Sequence, residues 1–163
     1  MKLEIDGRSL EASEGVSLGT LLDQQYPEGL RKGVAAKLNG RLVDFHTPIR
    51  ESGHLELVPL ESPEGLSVLR HSTAHLMASA VLKLFPEAKL AIGPAIDEGF
   101  YYDFQVDRPF QPEDLERIEE WMHKIADEDH PFVRGELSRN DALRRYREQN
   151  DPFNVELIEG LPD

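Results

Sequence analysis

His71 and His75 are four residues apart in Leu66–Phe85, a stretch rich in helix-forming residues that ends at Pro86. At that spacing both imidazoles project from one helical face, within reach of a shared atom. Such a pair can hold a metal through two nitrogens, or position a water and relay its proton near neutral pH. Two histidines do not complete a zinc site, which takes three or four ligands. The same spacing also suits two hydrogen-bonded polar side chains in a helix interface, so the motif alone leaves these alternatives open. Ala74 and Ala78 lie beside the pair on neighbouring turns, where small side chains would leave room for a ligand.

Other residues with chemical potential are less organised. Asp97 and Glu98 could act as paired carboxylates, although their place before Gly99 suits a turn of solvated acids. Tyr101 and Tyr102 are adjacent in an expected strand and must point to opposite faces, so only one could line a pocket. His123 lies in an acidic helix and His130 precedes a proline; both read as surface residues. His46 and His54 have no partner at ligand spacing. No phosphate-binding loop, dinucleotide-binding glycine pattern or nucleophile elbow occurs. Cysteine is absent, which excludes a disulfide, a thiolate zinc site and a cysteine nucleophile within these 163 residues.

The elements that position these residues fall into two domains, 1–61 and 62–163, divided at the Pro-, Ser- and Gly-rich stretch from Val58 to Gly65. In the first, Leu3 and Ile5 alternate with polar neighbours as in a half-buried strand. Gly7-Arg8 should turn the chain into a second strand, Ser9–Ala12. Ser17 suits the N-cap of a helix that buries Leu18, Leu21 and Leu22. Val34–Leu38 and Arg41–Val43 flank Asn39-Gly40, a strong hairpin signal. His54–Val58 closes the set, with Leu55 and Leu57 inward. About 60 residues in this order suggest a β-grasp sheet crossed by one helix.

In the second domain the histidine helix is apolar nearly all round and should be buried, with Ser67 a candidate cap. Lys89–Gly93 and Gly99–Phe104 read as strands around a Gly-Pro turn. Pro112 opens a helix whose early acids suit its positive end. Leu115, Ile118, Met122 and Ile125 form its core-facing stripe. Phe132–Leu137 is expected as a strand, Asp141–Gln149 as a helix and Phe153–Ile158 as a strand. The class is α+β.

Thirty-one acidic against 18 basic side chains give a net charge of −13. Nucleic-acid binders carry basic surfaces, so this charge argues against extensive RNA contact by the chain itself. Small basic clusters, Arg31, Lys32 and Lys37, and Arg144, Arg145 and Arg147, read as solvated faces. The composition is that of a soluble globular protein, with no membrane-spanning run and no signal peptide at the start, which makes the cytoplasm the expected compartment.

Two stretches carry a resemblance: Arg70-His-Ser-Thr-Ala-His-Leu-Met-Ala78, and Ala91-Ile-Gly-Pro-Ala-Ile-Asp-Glu-Gly-Phe-Tyr-Tyr-Asp103. Together they resemble the second N-terminal domain of bacterial threonyl-tRNA synthetases, and the preceding domain resembles their ubiquitin-like TGS module. The resemblance implies an editing domain that hydrolyses Ser-tRNA(Thr), with His71 and His75 in its site. There they would order the attacking water, contact the terminal ribose of the tRNA 3′ end and stabilise the ester carbonyl.

It also implies that the editing site is completed by a Cys-x-Gly-Pro-His segment beyond Asp163, so that this chain is a fragment with little editing of its own. A lysine is common in the family near Asn154, in the strand expected after the short helix, and its absence here leaves that contact open. No cofactor is expected within this chain; ATP, magnesium and a threonine-binding zinc belong to the class II catalytic domain of the parent. That parent would be a homodimer and this piece a monomer. Two competing readings are a metal-dependent trans-editing hydrolase of the alanyl type and a non-catalytic module binding RNA or a regulator.

Overall fold

A computed structural model describes residues 1–131, 133 and 135–162. The chain divides into two compact units, Met1–Arg70 and His71–Asp163. The first contains β1 (Lys2–Ile5), β2 (Arg8–Glu11), α1 (Leu18–Gln25), the single turn α2 (Pro27–Leu30), β3 (Ala35–Leu38), β4 (Arg41–Val43) and β5 (Gly53–Val58). The strands form one mixed sheet in the order β2-β1-β5-β3-β4, with β1 and β5 parallel and every other pair antiparallel.

Both hairpins turn on residues that tolerate positive φ. Asn39 and Gly40 stand at 52° and 80°, and Asp6 and Gly7 at 48° and 74°. Both pairs suit the twist of antiparallel strands. The first turn is therefore Asp6-Gly7, one residue earlier than Gly7-Arg8. Ser17 caps α1 by accepting a hydrogen bond from the Thr20 amide at 3.2 Å. Leu18, Leu21 and Leu22 of α1 join Leu3, Ile5, Leu10, Leu38, Ile49 and Leu55 in one buried cluster. The alternation along β1 and the i, i+3, i+4 spacing along α1 thus meet in a single small core.

Helix α3 (Pro63–Leu84) passes through the division between the units. It starts within the proline- and glycine-rich stretch. Ser62, rather than Ser67, serves its first turn: its hydroxyl accepts from the Gly65 amide at 3.0 Å and donates to the Pro59 carbonyl at 2.7 Å. The helix is only partly buried. Ala74, Ala78, Ala80 and Val81 are enclosed, while Leu69 is 45% exposed.

The second unit adds β6 (Lys89–Leu90), β7 (Ala95–Ile96), β8 (Gly99–Phe100), β9 (Phe104–Gln105), α4 (Pro112–Asp127), α5 (Arg139–Glu148) and α6 (Pro152–Glu159). The two strands expected here are broken into two short antiparallel ladders, β6 with β9 and β7 with β8. Between them the backbone stays joined through the Ala91 and Asp103 amides, which donate to the Asp103 and Ile92 carbonyls. Gly93-Pro94 interrupts regular pairing because proline supplies no donor. Ala80, Val81, Ala88 and Ile118 form the buried centre, packed with Phe85, Phe104, Phe110, Trp121, Met122 and Ile125. Leu115 is instead 58% exposed, and Trp121 takes its place in the α4 stripe.

Asp114 is the buried carboxylate of the first turn of α4. It accepts from Arg108 at 2.6 and 3.0 Å and from the Gln111 amide at 2.8 Å. The Arg108 guanidinium also stands over the Phe85 ring, 5.6 Å from its centroid. One side chain thereby ties the cap of α4 to the aromatic cluster.

Two expectations near the end of the chain change. Within the strand expected over 132–137, Phe132 and Arg134 lie outside the described residues, and Val133 and residues 135–137 carry no strand. Residues 153–158 are helical instead of extended. Pro152 at the first helical position and Asp151 as N-cap, accepting from the Asn154 amide at 3.1 Å, start a helix there.

Candidate functional site

The helical spacing delivers the histidine pair as the sequence suggested. His71 Nε2 and His75 Nε2 are 3.2 Å apart, and the rings meet nearly at right angles with centroids 4.6 Å apart. At that distance one ring donates its N–H to the lone pair of the other. Both side chains belong to exposed residues of α3. Ala74 and Ala78 do not line open space beside them; they are 0% and 3% exposed and form part of the packed side of the helix.

Of the two tyrosines, Tyr102 is brought to the pair. Its ring lies 6.4 Å from that of His75, edge to face, and stacks at 4.9 Å on Phe104. Tyr101 is 48% exposed. Gly93 allows this placement, since a β-carbon there would overlap the Tyr102 ring. Sequence reasoning left the choice between the tyrosines open and did not pick out Gly93. The signal available was the glycine eight residues before the Tyr101-Tyr102 pair, across an irregular hairpin.

The environment biases both groups toward neutrality. Partial burial, and then the neighbouring His71, lower the pKa of His75 from its ordinary 6.5. Burial, with a smaller effect from the charge of Asp151, raises that of Tyr102 above 10.0. Near neutral pH the pair therefore offers an unprotonated imidazole beside a phenol. Such a ring can accept a proton or orient a water.

Asp151 is a further residue that sequence reasoning did not single out. Besides capping α6, it accepts from the Asn154 side-chain amide at 2.7 Å. An open cleft of about 490 Å³ lies beside it, lined by Arg147, Asn150, Val155, Glu156 and Glu159 among others.

The remaining candidates lie elsewhere. Asp97 and Glu98 form the exposed turn between β7 and β8. His123 is exposed on α4, and His130 Nε2 is 2.8 Å from Glu128. His54 is 3.5 Å from Glu56, and His46 is exposed. Among the described residues, no group of three or more His, Cys, Asp or Glu side chains is placed to hold a metal ion. None of the helices is long and apolar enough to cross a membrane among the described residues.

No family model matches the chain. Curated relatives do. A threonine–tRNA ligase of Rubrobacter xylanophilus is 49% identical over 158 residues, covering 97% of this chain and 24% of the relative. Those of Desulforamulus reducens and Anoxybacillus flavithermus are 53% and 46% identical, over 82% and 97% of this chain. The chain matches an N-terminal part of threonine–tRNA ligase. It spans about a quarter of the length of these relatives, which it covers by 21–25%. The fold brings His71, His75 and Tyr102 together in the second unit.

Proposed function

We propose that the chain is the N-terminal part of an enzyme that joins threonine to its tRNA with ATP, and that its second unit serves proofreading. On this reading residues 1–61 are a β-grasp TGS module and residues 62–163 belong to a domain that hydrolyses Ser-tRNA(Thr). The chemical need is general. Serine lacks one methyl group of threonine and keeps the hydroxyl, and a missing methyl discriminates by only about 1–3 kcal/mol. A second, hydrolytic site restores accuracy.

The observation that carries the proposal is the His71–His75 contact at 3.2 Å with Tyr102 beside it. An unprotonated imidazole there orients the attacking water and takes up its proton. The second imidazole contacts the terminal ribose or the ester carbonyl as charge develops on it. ATP, magnesium and zinc belong to the aminoacylation chemistry elsewhere in the parent polypeptide, which would work as a homodimer in the cytoplasm.

The test is release of serine from mischarged Ser-tRNA(Thr) by a polypeptide extended through the Cys-x-Gly-Pro-His segment that the resemblance places after this chain. Hydrolysis should fall on the order of 10²-fold or more in the His71→Ala variant, the usual scale of a lost general acid–base contribution. Equal rates would make the pair structural and sink the proposal.

A further inference from the structure

A neutral imidazole carries one N–H and one bare lone pair. In the contact between His71 Nε2 and His75 Nε2 at 3.2 Å, one ring gives its N–H and the other its lone pair. The two rings therefore hold opposite tautomers: the donor bears its proton on Nε2, and the acceptor bears its proton on Nδ1. What the pair leaves free is a lone pair on Nδ1 of the donor ring and an N–H on Nδ1 of the acceptor ring. Among the described residues neither Nδ1 has a hydrogen-bond partner, and both side chains belong to exposed residues. The same holds whichever ring donates. A base and an acid are thus presented together, joined by the proton between them.

We propose that His71 and His75 form a proton relay, in which one Nδ1 takes a proton from the attacking water and the other returns one to the departing ribose oxygen. This role rests on the hydrolytic reading above. As the water oxygen bonds to the ester carbonyl carbon, its proton goes to the bare Nδ1 of the donor ring. The Nε2–H proton crosses to the facing Nε2. The Nδ1–H proton of the second ring passes to the ribose oxygen as its bond to the carbonyl carbon breaks. One proton enters and one leaves, both rings end neutral, and their tautomers are exchanged. Partial burial, and then the neighbouring ring, hold the pKa of His75 below its ordinary value, which favours this neutral cycle over a stored imidazolium.

Histidine-selective nitrogen-15 NMR of the whole chain at alkaline pH tests the shared proton without reference to activity. The Nε2–H populations of the two rings should sum to one, and His71→Ala should return the His75 ring to the tautomer mixture of free imidazole. Two rings both mainly in the Nε2–H form, or a His75 ring unchanged in that variant, would overturn the proposal.

Serine release by the full-length ligase tests the relay itself, with His71→Gln, His75→Gln and the double variant. Glutamine suits an exposed helical position and keeps an N–H donor, but it cannot pass a proton on. Each single variant should lose roughly 10²-fold or more, the scale of general acid–base catalysis. The double variant should be no slower than the slower single one, because a relay stops at its first break. Losses that multiply would overturn the relay and leave hydrolysis by two independent imidazoles standing. Full activity in all three variants would overturn the hydrolytic reading and the relay with it.

Discussion

Arg108 and Asp114 show how much one contact can organise. The Arg108 guanidinium first, and then the Gln111 amide, hold the Asp114 carboxyl at a pKa of about 2, below its ordinary 3.8. A carboxylate whose folded pKa is depressed stabilises the fold fully above its unfolded value. That contribution fades as pH falls through the folded one. Acid titration of the second unit should therefore show a loss of stability between pH 3.8 and about 2 that the Asp114→Asn variant lacks. Circular dichroism melts across that range measure it. Gly93 offers a second test. In Gly93→Ala the new methyl must displace the Tyr102 ring from its stack on Phe104. Overpacking of this kind costs about 1–3 kcal/mol, read as a lower denaturation midpoint. The histidine pair was legible because four residues of helix suffice to make it. Tyr102 was not, because its approach to His75 depends on an irregular segment 27 residues away and on the space left by one glycine.

The elements differ in how openly the sequence declares them. Ser17, the leucines of α1 and Asn39-Gly40 each act within one turn of chain, and the structure uses them as read. Replacing Ser17 with alanine removes the hydrogen bond to the Thr20 amide, and caps of this type are worth about 1 kcal/mol. Chemical denaturation of the Ser17→Ala variant should show a loss of that size. Helix α6 is the opposite case. Phe153, Val155 and Leu157 alternate with polar residues and read as a strand, yet Leu157 is 61% exposed in a helix. Asp151 and Pro152 are the signals that decided it, and both lie just before the alternating run. Helix α4 was legible as an element but not in its orientation. The packing around Phe85 and Phe110 draws in Trp121 and leaves Leu115 outside.

At the scale of the whole molecule, each unit holds its own apolar cluster. Charge also acts at this scale. With a net charge of −13, the chain repels a polyanion wherever no local site compensates. Uncharged tRNA should bind this chain more weakly than the roughly 10⁻⁴–10⁻⁶ M usual for non-specific nucleic-acid binding at physiological salt. Filter binding measures it, and micromolar affinity at that salt would contradict the expectation. Basic side chains do not escape this balance in α5, where Arg144 and Arg147 are paired with Asp141 and Glu159.

The stretch from Pro59 to Gly65 reads as a tether but is built as a fastening. Ser62 joins the Pro59 carbonyl to the Gly65 amide, and Lys37 on β3 grips Glu64 at 2.6 Å. A β-carbon on Gly65 would run into the Pro59 carbonyl. A protease needs several residues of extended backbone to close its cleft on, and this segment is already folded back on itself. Glu61 and Glu64 should accordingly be poor points of entry for a glutamate-specific protease. A gene divided after Glu61 would leave one product without the partner of Lys37 and the other without the carbonyl that Ser62 uses, so the first turn of α3 would fray in isolation.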